Sequence, residues 1–307
     1  MSNYTGNQYT EDKNNAWYMV FNLIKDKEKI LDIGCSSGNL GAELVKRKKC
    51  VVDGIDIDAK DVELAKKKLR NAYVVDIERD EFTMLDKQYD AVLMMDVIEH
   101  LIDPVAALKK IGKLLKPKGR LIFSVPNMAH VSVRLDLLLG EFQYRQVGLL
   151  DHTHLHFYTE ETLLKVLKSA GFSAKQAESS TMDYSEKLLK LKLGEAGLKP
   201  TPEFIKKLAD TKGNIYQFVG VATQAASTAK PLKFPAANPH EVHFKQIESH
   251  YDQIISQLKE ELVLKDQHIA NIQAELSNIR SSKTYKLTQK ATSARKKISS
   301  RATGKKS

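Results

Sequence analysis

Through the first two thirds of the chain, short apolar runs of strand length alternate with stretches whose apolar residues recur every three or four positions. Residues 29–33, 50–55, 72–75, 90–95 and 120–125 predict strands, and 40–47, 61–69 and 104–115 predict the helices between them. Such alternation predicts a parallel sheet with crossover helices. A helix over 160–169 leads to a sixth strand near 172–177, and 215–222 predicts a seventh. Residues 184–209 look helical and would be an insertion before that last strand.

The pattern breaks at 225–242, where three prolines and few bulky apolar residues mark a linker, so a first domain is expected over 1–224. Beyond it, Tyr251, Ile255, Leu258, Leu262, Lys265, Ile269, Ile272, Leu276 and Ile279 recur at spacings of four and three. About four heptads with one polar member predict a coiled-coil helix over 243–280, with an amphipathic helix folded back on the domain as the alternative. A coiled-coil seam cannot bury itself alone and therefore predicts self-association or a partner helix.

Composition changes the picture in three places. The 307 residues are 42% apolar, enough for a core. Cys35 and Cys50 make no disulfide framework, residues 1–15 lack the pattern of a secretory leader, and no run nears the roughly 20 apolar residues of a membrane span, so the cytoplasm is the expected compartment. The net charge of +10 is concentrated at the end: residues 281–307 hold nine Lys or Arg and no acid. The folded body is therefore not expected to bind nucleic acid, whereas the basic tail, with Tyr285, Leu287 and Ile298, suits an anionic membrane surface or a disordered state.

The run Ile30-Leu31-Asp32-Ile33-Gly34-Cys35-Ser36-Ser37-Gly38 ends a strand and opens a helix, where small residues let backbone approach a ligand. No Gly-Lys-Ser/Thr follows, so it is not a P-loop, and Ser36 stands where a dinucleotide loop needs its middle glycine. Asp32 suits a cation better than a phosphate. S-adenosylmethionine carries an ammonium and a sulfonium and matches that charge. Asp56, at the end of the second strand, is placed to accept both ribose hydroxyls, and Asp76, after the third, to accept from the adenine amine with Ile77 beside the ring.

Asp32 to Gly38, Gly54-Ile55-Asp56 and the stretch from Tyr89 to Leu101 closely resemble class I S-adenosylmethionine-dependent methyltransferases over about residues 1–224. The resemblance implies a Rossmann-like, seven-stranded, mostly parallel α/β sheet with an antiparallel last strand. It implies cofactor contacts from Asp32, Gly34, Gly38, Asp56, Asp76 and Asp96, and Cys35, Ser36, Ile57, Ile77 and Val97 are counted with them.

Methyl transfer from a sulfonium is an in-line displacement, and a weakly acidic hydroxyl acceptor needs a base near neutral pKa. Glu99 and His100 follow the fourth strand. Quinone-precursor O-methyltransferases have a similar Glu-His pair where a divalent metal can be held, although no metal-ligand set is assigned here. The segment from Leu149 to Thr159 resembles one in methyltransferases of bacterial surface-glycan gene clusters. By that resemblance His154 is the leading candidate for base or acceptor-positioning group, and Asn127, His130, Arg134 and Tyr144 would line the acceptor side. His152, His154 and His156 would share one face if the segment were extended. Residues 281–288 likewise resemble an ending common after coiled coils in surface-glycan assembly proteins. The expected activity is O-methylation of a saccharide, a surface polysaccharide or its lipid-linked precursor, with the tail at the inner face of the membrane. The alternatives are O-methylation of a small molecule such as a quinone precursor, and a cofactor-binding scaffold without catalysis.

Overall fold

The structure is a computed structural model. It describes residues 9–224 except 86, 87, 183 and 211, then 234, 265, 267, 269, 271–275, 277, 278, 281, 282, 286–288 and 290–293. It divides into two units, Met1–Pro239 and His240–Ser307.

The first unit is built on seven strands: β1 (Lys29–Ile33), β2 (Val51–Asp56), β3 (Asn71–Val74), β4 (Tyr89–Met95), β5 (Leu115–Pro126), β6 (Phe172–Thr181) and β7 (Ile215–Gln224). Their order is β3-β2-β1-β4-β5-β7-β6. The first five run parallel, and β7 is antiparallel to both β5 and β6. Strand order reverses between β1 and β4, so the loops leaving their carboxyl ends diverge and open a crevice there.

Among the described residues eight α-helices accompany the sheet: α1 (Ala16–Leu23), α2 (Asn39–Lys48), α3 (Ala59–Ala65), α4 (Pro104–Gly112), α5 (Val131–Leu138), α6 (Glu160–Ser169), α7 (Glu186–Glu195) and α8 (Pro202–Asp210). The last two form the expected insertion before β7. Local chemistry sets their ends. Asp58 caps α3 by accepting from the amides of Lys60 and Asp61, which starts that helix two residues before the expected position. Asp103 caps α4 with Pro104 in its first turn, and Thr159 and Thr162 form a reciprocal capping box on α6.

Two elements differ from expectation. α1 arises from an unassigned stretch, capped by Asn15 and burying Met19, Val20 and Phe21. α4 stops at Gly112, short of Leu115, because Leu115 already pairs with Tyr89; the register then shifts so that Arg120 pairs with Ala91.

Apolar clusters cover both faces of the sheet, one including Leu31, Val92, Leu121 and Phe123, the other Ile30, Leu93, Ile122 and Val219. This is why β1 and β4 read as continuous apolar runs. On β2 the buried acid Asp53, 2% exposed, is held by Arg70, Asn71 and the hydroxyl of Tyr89.

The expected heptad seam and basic tail lie largely outside the described residues. Described positions from 265 to 278 are helical and exposed, including Ile269 and Ile272. No helix among the described residues is long and apolar enough to cross a membrane.

Candidate active site

A cavity of about 890 Å³ opens at the carboxyl ends of β1, β2, β3 and β4. That lies near the top of the roughly 300–1,000 Å³ usual for ligand sites, room for a cofactor and an acceptor together.

Its floor is the loop after β1. Gly34 has φ +71°, and a Cβ there would lie 2.6 Å from Val97 Cγ2, so the chain passes too close to the β4 loop for any side chain. Gly38, φ +74°, turns the chain into α2. Between them the Ser36 amide donates to Asp56 Oδ2 at 2.8 Å, and its hydroxyl donates to Asp61 Oδ2 at 2.9 Å. Asp58 N–H donates to the other Asp56 oxygen at 2.9 Å, which fixes the plane of that carboxylate at the cavity wall.

Acids dominate this half. Burial, with Asp56 close by, pushes the Asp32 carboxyl up to about 7. Burial also raises Asp56. Buried carboxyls without a facing cation make a site that favours a positively charged ligand. Burial and Asp32 raise the Cys35 thiol, which keeps it neutral and makes it a wall rather than a nucleophile. Asp76 accepts from the amides of Glu78 and Arg79, shaping the loop after β3.

Asp96 ends β4 with φ +53°, a conformation disfavoured for a residue with a side chain. It is held there by its neighbours: its amide donates to Ser124 O, Ser124 Oγ donates to its Oδ1 at 2.6 Å, and Gln217 Nε2 donates to both carboxylate oxygens. Burial raises its pKa against these hydrogen bonds.

The other half is closed by a loop hung from Glu99, whose carbonyl accepts from the amides of Leu155 and His156 at 2.9 and 3.0 Å. Gln146, Asp151, His152, Thr153 and Leu155 of that loop line the cavity with His100. His100 Nδ1 lies 3.0 Å from Thr153 O, and His154 Nδ1 lies 3.2 Å from Leu149 O. Since a carbonyl only accepts, both rings carry their proton on Nδ1, leaving the Nε2 lone pairs available. The two rings meet edge to face at 4.8 Å, and ligand atoms of Glu99, His100 and His154 all lie within 4.8 Å of one another. Glu99 is 1% exposed and neither of its carboxyl oxygens has a hydrogen-bond partner. Burial, with Asp96 and Asp151 nearby, pushes its pKa well above the carboxylate range. Burial and His100 lower His154, so its imidazole is neutral. An orphaned buried carboxyl beside two imidazole lone pairs is the donor set of a divalent metal, and these residues fit one.

Of the sequence-predicted cofactor residues, Asp32, Gly34, Cys35, Ser36, Asp56, Ile57, Asp76, Ile77, Asp96 and Val97 all line this one cavity, and Gly38 shapes the loop beneath it. His100 also lines it, with Glu99 and His154 packed behind rather than on its wall. The acceptor-side residues need correction. Asn127, 1% exposed, donates to Ile215 O and accepts from the Ala129 amide. His130, fully buried, caps α5 and bridges Ser132 Oγ and Met182 O. Neither lines the cavity, nor do Arg134 on α5 or Tyr144, which packs against Phe142. The three histidines do not share a face, because the segment is not extended but turns at 152–153: His152 faces Arg145 O and His156 faces Ile102 O. Sequence reasoning did not find Trp17 or Gln217, which stand far from any motif in the chain; only the fold brings them to the site.

A doubly wound sheet with an inserted antiparallel strand, an acid-lined glycine turn after β1 and a carboxylate ending β2 define a class I S-adenosylmethionine-dependent methyltransferase. The chain belongs to the methyltransferase-domain family, whose model matches residues 10–177. It is similar to the ubiquinone biosynthesis O-methyltransferase of Neisseria meningitidis serogroup A, 27% identical over 160 residues, half of this chain and 67% of that one. The enzyme of the same name from Aeromonas salmonicida is 27% identical over 173 residues, 55% of this chain and 71% of that one. A SAM-dependent methyltransferase of Archaeoglobus fulgidus, 21% identical, covers 69% of this chain and 96% of its own with a TM-score of 0.46.

Proposed function

We propose that this methyltransferase methylates a hydroxyl of a small-molecule acceptor of the phenol or quinone-precursor type. The observation that carries this reading is the convergence of Glu99, His100 and His154 at the edge of the cofactor cavity. The names of its relatives, ubiquinone biosynthesis O-methyltransferases, support it. The residues expected to meet a sugar, Asn127, His130, Arg134 and Tyr144, do not reach the cavity. Its rim carries three exposed apolar side chains: Ile57, Ile102 and Leu155 line it while remaining 71%, 70% and 56% exposed. That rim suits an acceptor with an apolar body.

The acid-lined half orients the cofactor: Asp32 and Asp56 supply charge and ribose acceptors, and Asp96 bounds the space between donor and acceptor. The acceptor oxygen attacks the methyl carbon in line, the carbon–sulfur bond breaks with its electron pair passing to sulfur, and the sulfonium becomes a neutral thioether. With no metal on it, His100 Nε2 takes the hydroxyl proton; with a metal there, the proton of the acidified hydroxyl passes to solvent instead. A divalent metal held by Glu99, His100 and His154 would supply Lewis acidity, lowering the pKa of the acceptor hydroxyl.

The test is transfer of labelled methyl from S-adenosylmethionine by the purified protein to catechols, other phenols and saccharides, with and without a chelator. Methylated catechol or phenol is expected. Methylated saccharide with untouched phenols would return the acceptor to a glycan.

A further inference from the structure

Phe234 is the one described residue between 224 and 265, and it is 1% exposed. Its ring lies 4.8 Å from Phe218 and 6.4 Å from Phe123, centroid to centroid, within the core cluster shared with α4 and α6. Its backbone is held as well. The Phe234 amide donates to Glu160 Oε1 at 2.6 Å, its carbonyl accepts from Lys212 Nζ at 2.8 Å, and Lys212 pairs with Glu160 Oε2 at 2.5 Å. An apolar pocket that takes the side chain, with a donor and an acceptor that read the backbone on either side, is how folded domains capture extended peptide segments.

We propose that Phe123, Phe218, Glu160 and Lys212 form a docking socket for an aromatic residue, and that its occupant is this chain's own Phe234. Docking places Phe234, ten residues beyond the end of β7 at Gln224, in the core of the first unit. Neither the aromatic contact nor the ion pair involves the cofactor cavity, so the socket stands whatever the acceptor is.

Amide hydrogen exchange on the full chain, resolved at residue 234, tests the proposal. The Phe234 amide is expected to exchange at least about tenfold more slowly than an unstructured peptide bond. Phe234→Ala and Glu160→Gln should each abolish that protection while leaving the amides of β4 unchanged. Glu160→Gln keeps the aromatic core intact, so it decides the matter if Phe234→Ala also exposes β4. Exchange at the unstructured rate in the unmodified chain would overturn the socket. Protection that weakens on dilution would overturn the assignment of the occupant, since it would then come from a second copy.

Discussion

Gln217 reaches across from β7 and donates from Nε2 to both carboxylate oxygens of Asp96, at 3.0 and 2.9 Å. Ser124 adds a third hydrogen bond, so a carboxylate buried beside the cofactor cavity is held by neutral donors alone. Removing the amide in Gln217→Leu takes away the one nitrogen that makes both contacts. With hydrogen bonds to charged groups worth about 1.5–3 kcal/mol, cofactor affinity should fall about 10- to 100-fold. Titration calorimetry with S-adenosylhomocysteine measures this; an unchanged Kd would mean that Asp96 is held adequately by Ser124.

Asp32 makes cofactor binding depend on pH. Its folded pKa is raised to about 7, above the ordinary 3.8, so its contribution to the stability of the unliganded protein is fully present below pH 3.8 and is lost as pH rises toward 7. The cofactor's cationic groups favour the ionised form and oppose that loss. Stabilisation by S-adenosylmethionine, read as a shift in Tm, should therefore be larger at pH 8 than at pH 5.5. Asp32→Asn should flatten that difference; a steep pH dependence persisting in this variant would place its origin elsewhere.

Glu99 binds a proton in competition with any cation. Because its pKa is raised well above the carboxylate range, divalent metal affinity should increase with pH through the neutral region. Glu99→Gln should abolish the rise in Tm given by zinc or manganese, and a chelator should lower activity of the unmodified chain but not that of the variant. Equal metal response in both proteins would remove Glu99 from the ligand set.

His130 is a structural residue. Its two ring nitrogens face Ser132 Oγ and Met182 O, and its ring meets Tyr184 and Tyr216 edge to face. His130→Ala should cost about 2–4 kcal/mol in urea unfolding through lost packing and hydrogen bonds, with KM for cofactor unchanged in the folded fraction. A KM shift without a stability loss would return His130 to the acceptor side.

The strand and helix order was legible in the sequence because buried parallel strands are continuous apolar runs and the helices between them carry their own periodicity. The cofactor half was legible for a related reason. The Gly34 turn, Asp56 and Asp76 each follow directly from a strand end, and parallel strands bring all such ends to one edge. α1 was not legible, since its burial depends on the sheet it covers rather than on a contrast of faces along its own length.

What the sequence determined by itself is therefore the sheet, the donor and the residues that line the cavity at its edge. The acceptor half depended on tertiary structure. Asn127 and His130 look like polar site residues in the chain, yet they are spent on the backbone of β7 and on the loop after β6, segments more than 50 residues away. Gln217 and Phe234 carry no motif, yet one holds Asp96 and the other fills a socket in the core. A polar side chain is free for chemistry only when the fold leaves its hydrogen bonds unmet, and that accounting is settled by contacts between distant segments.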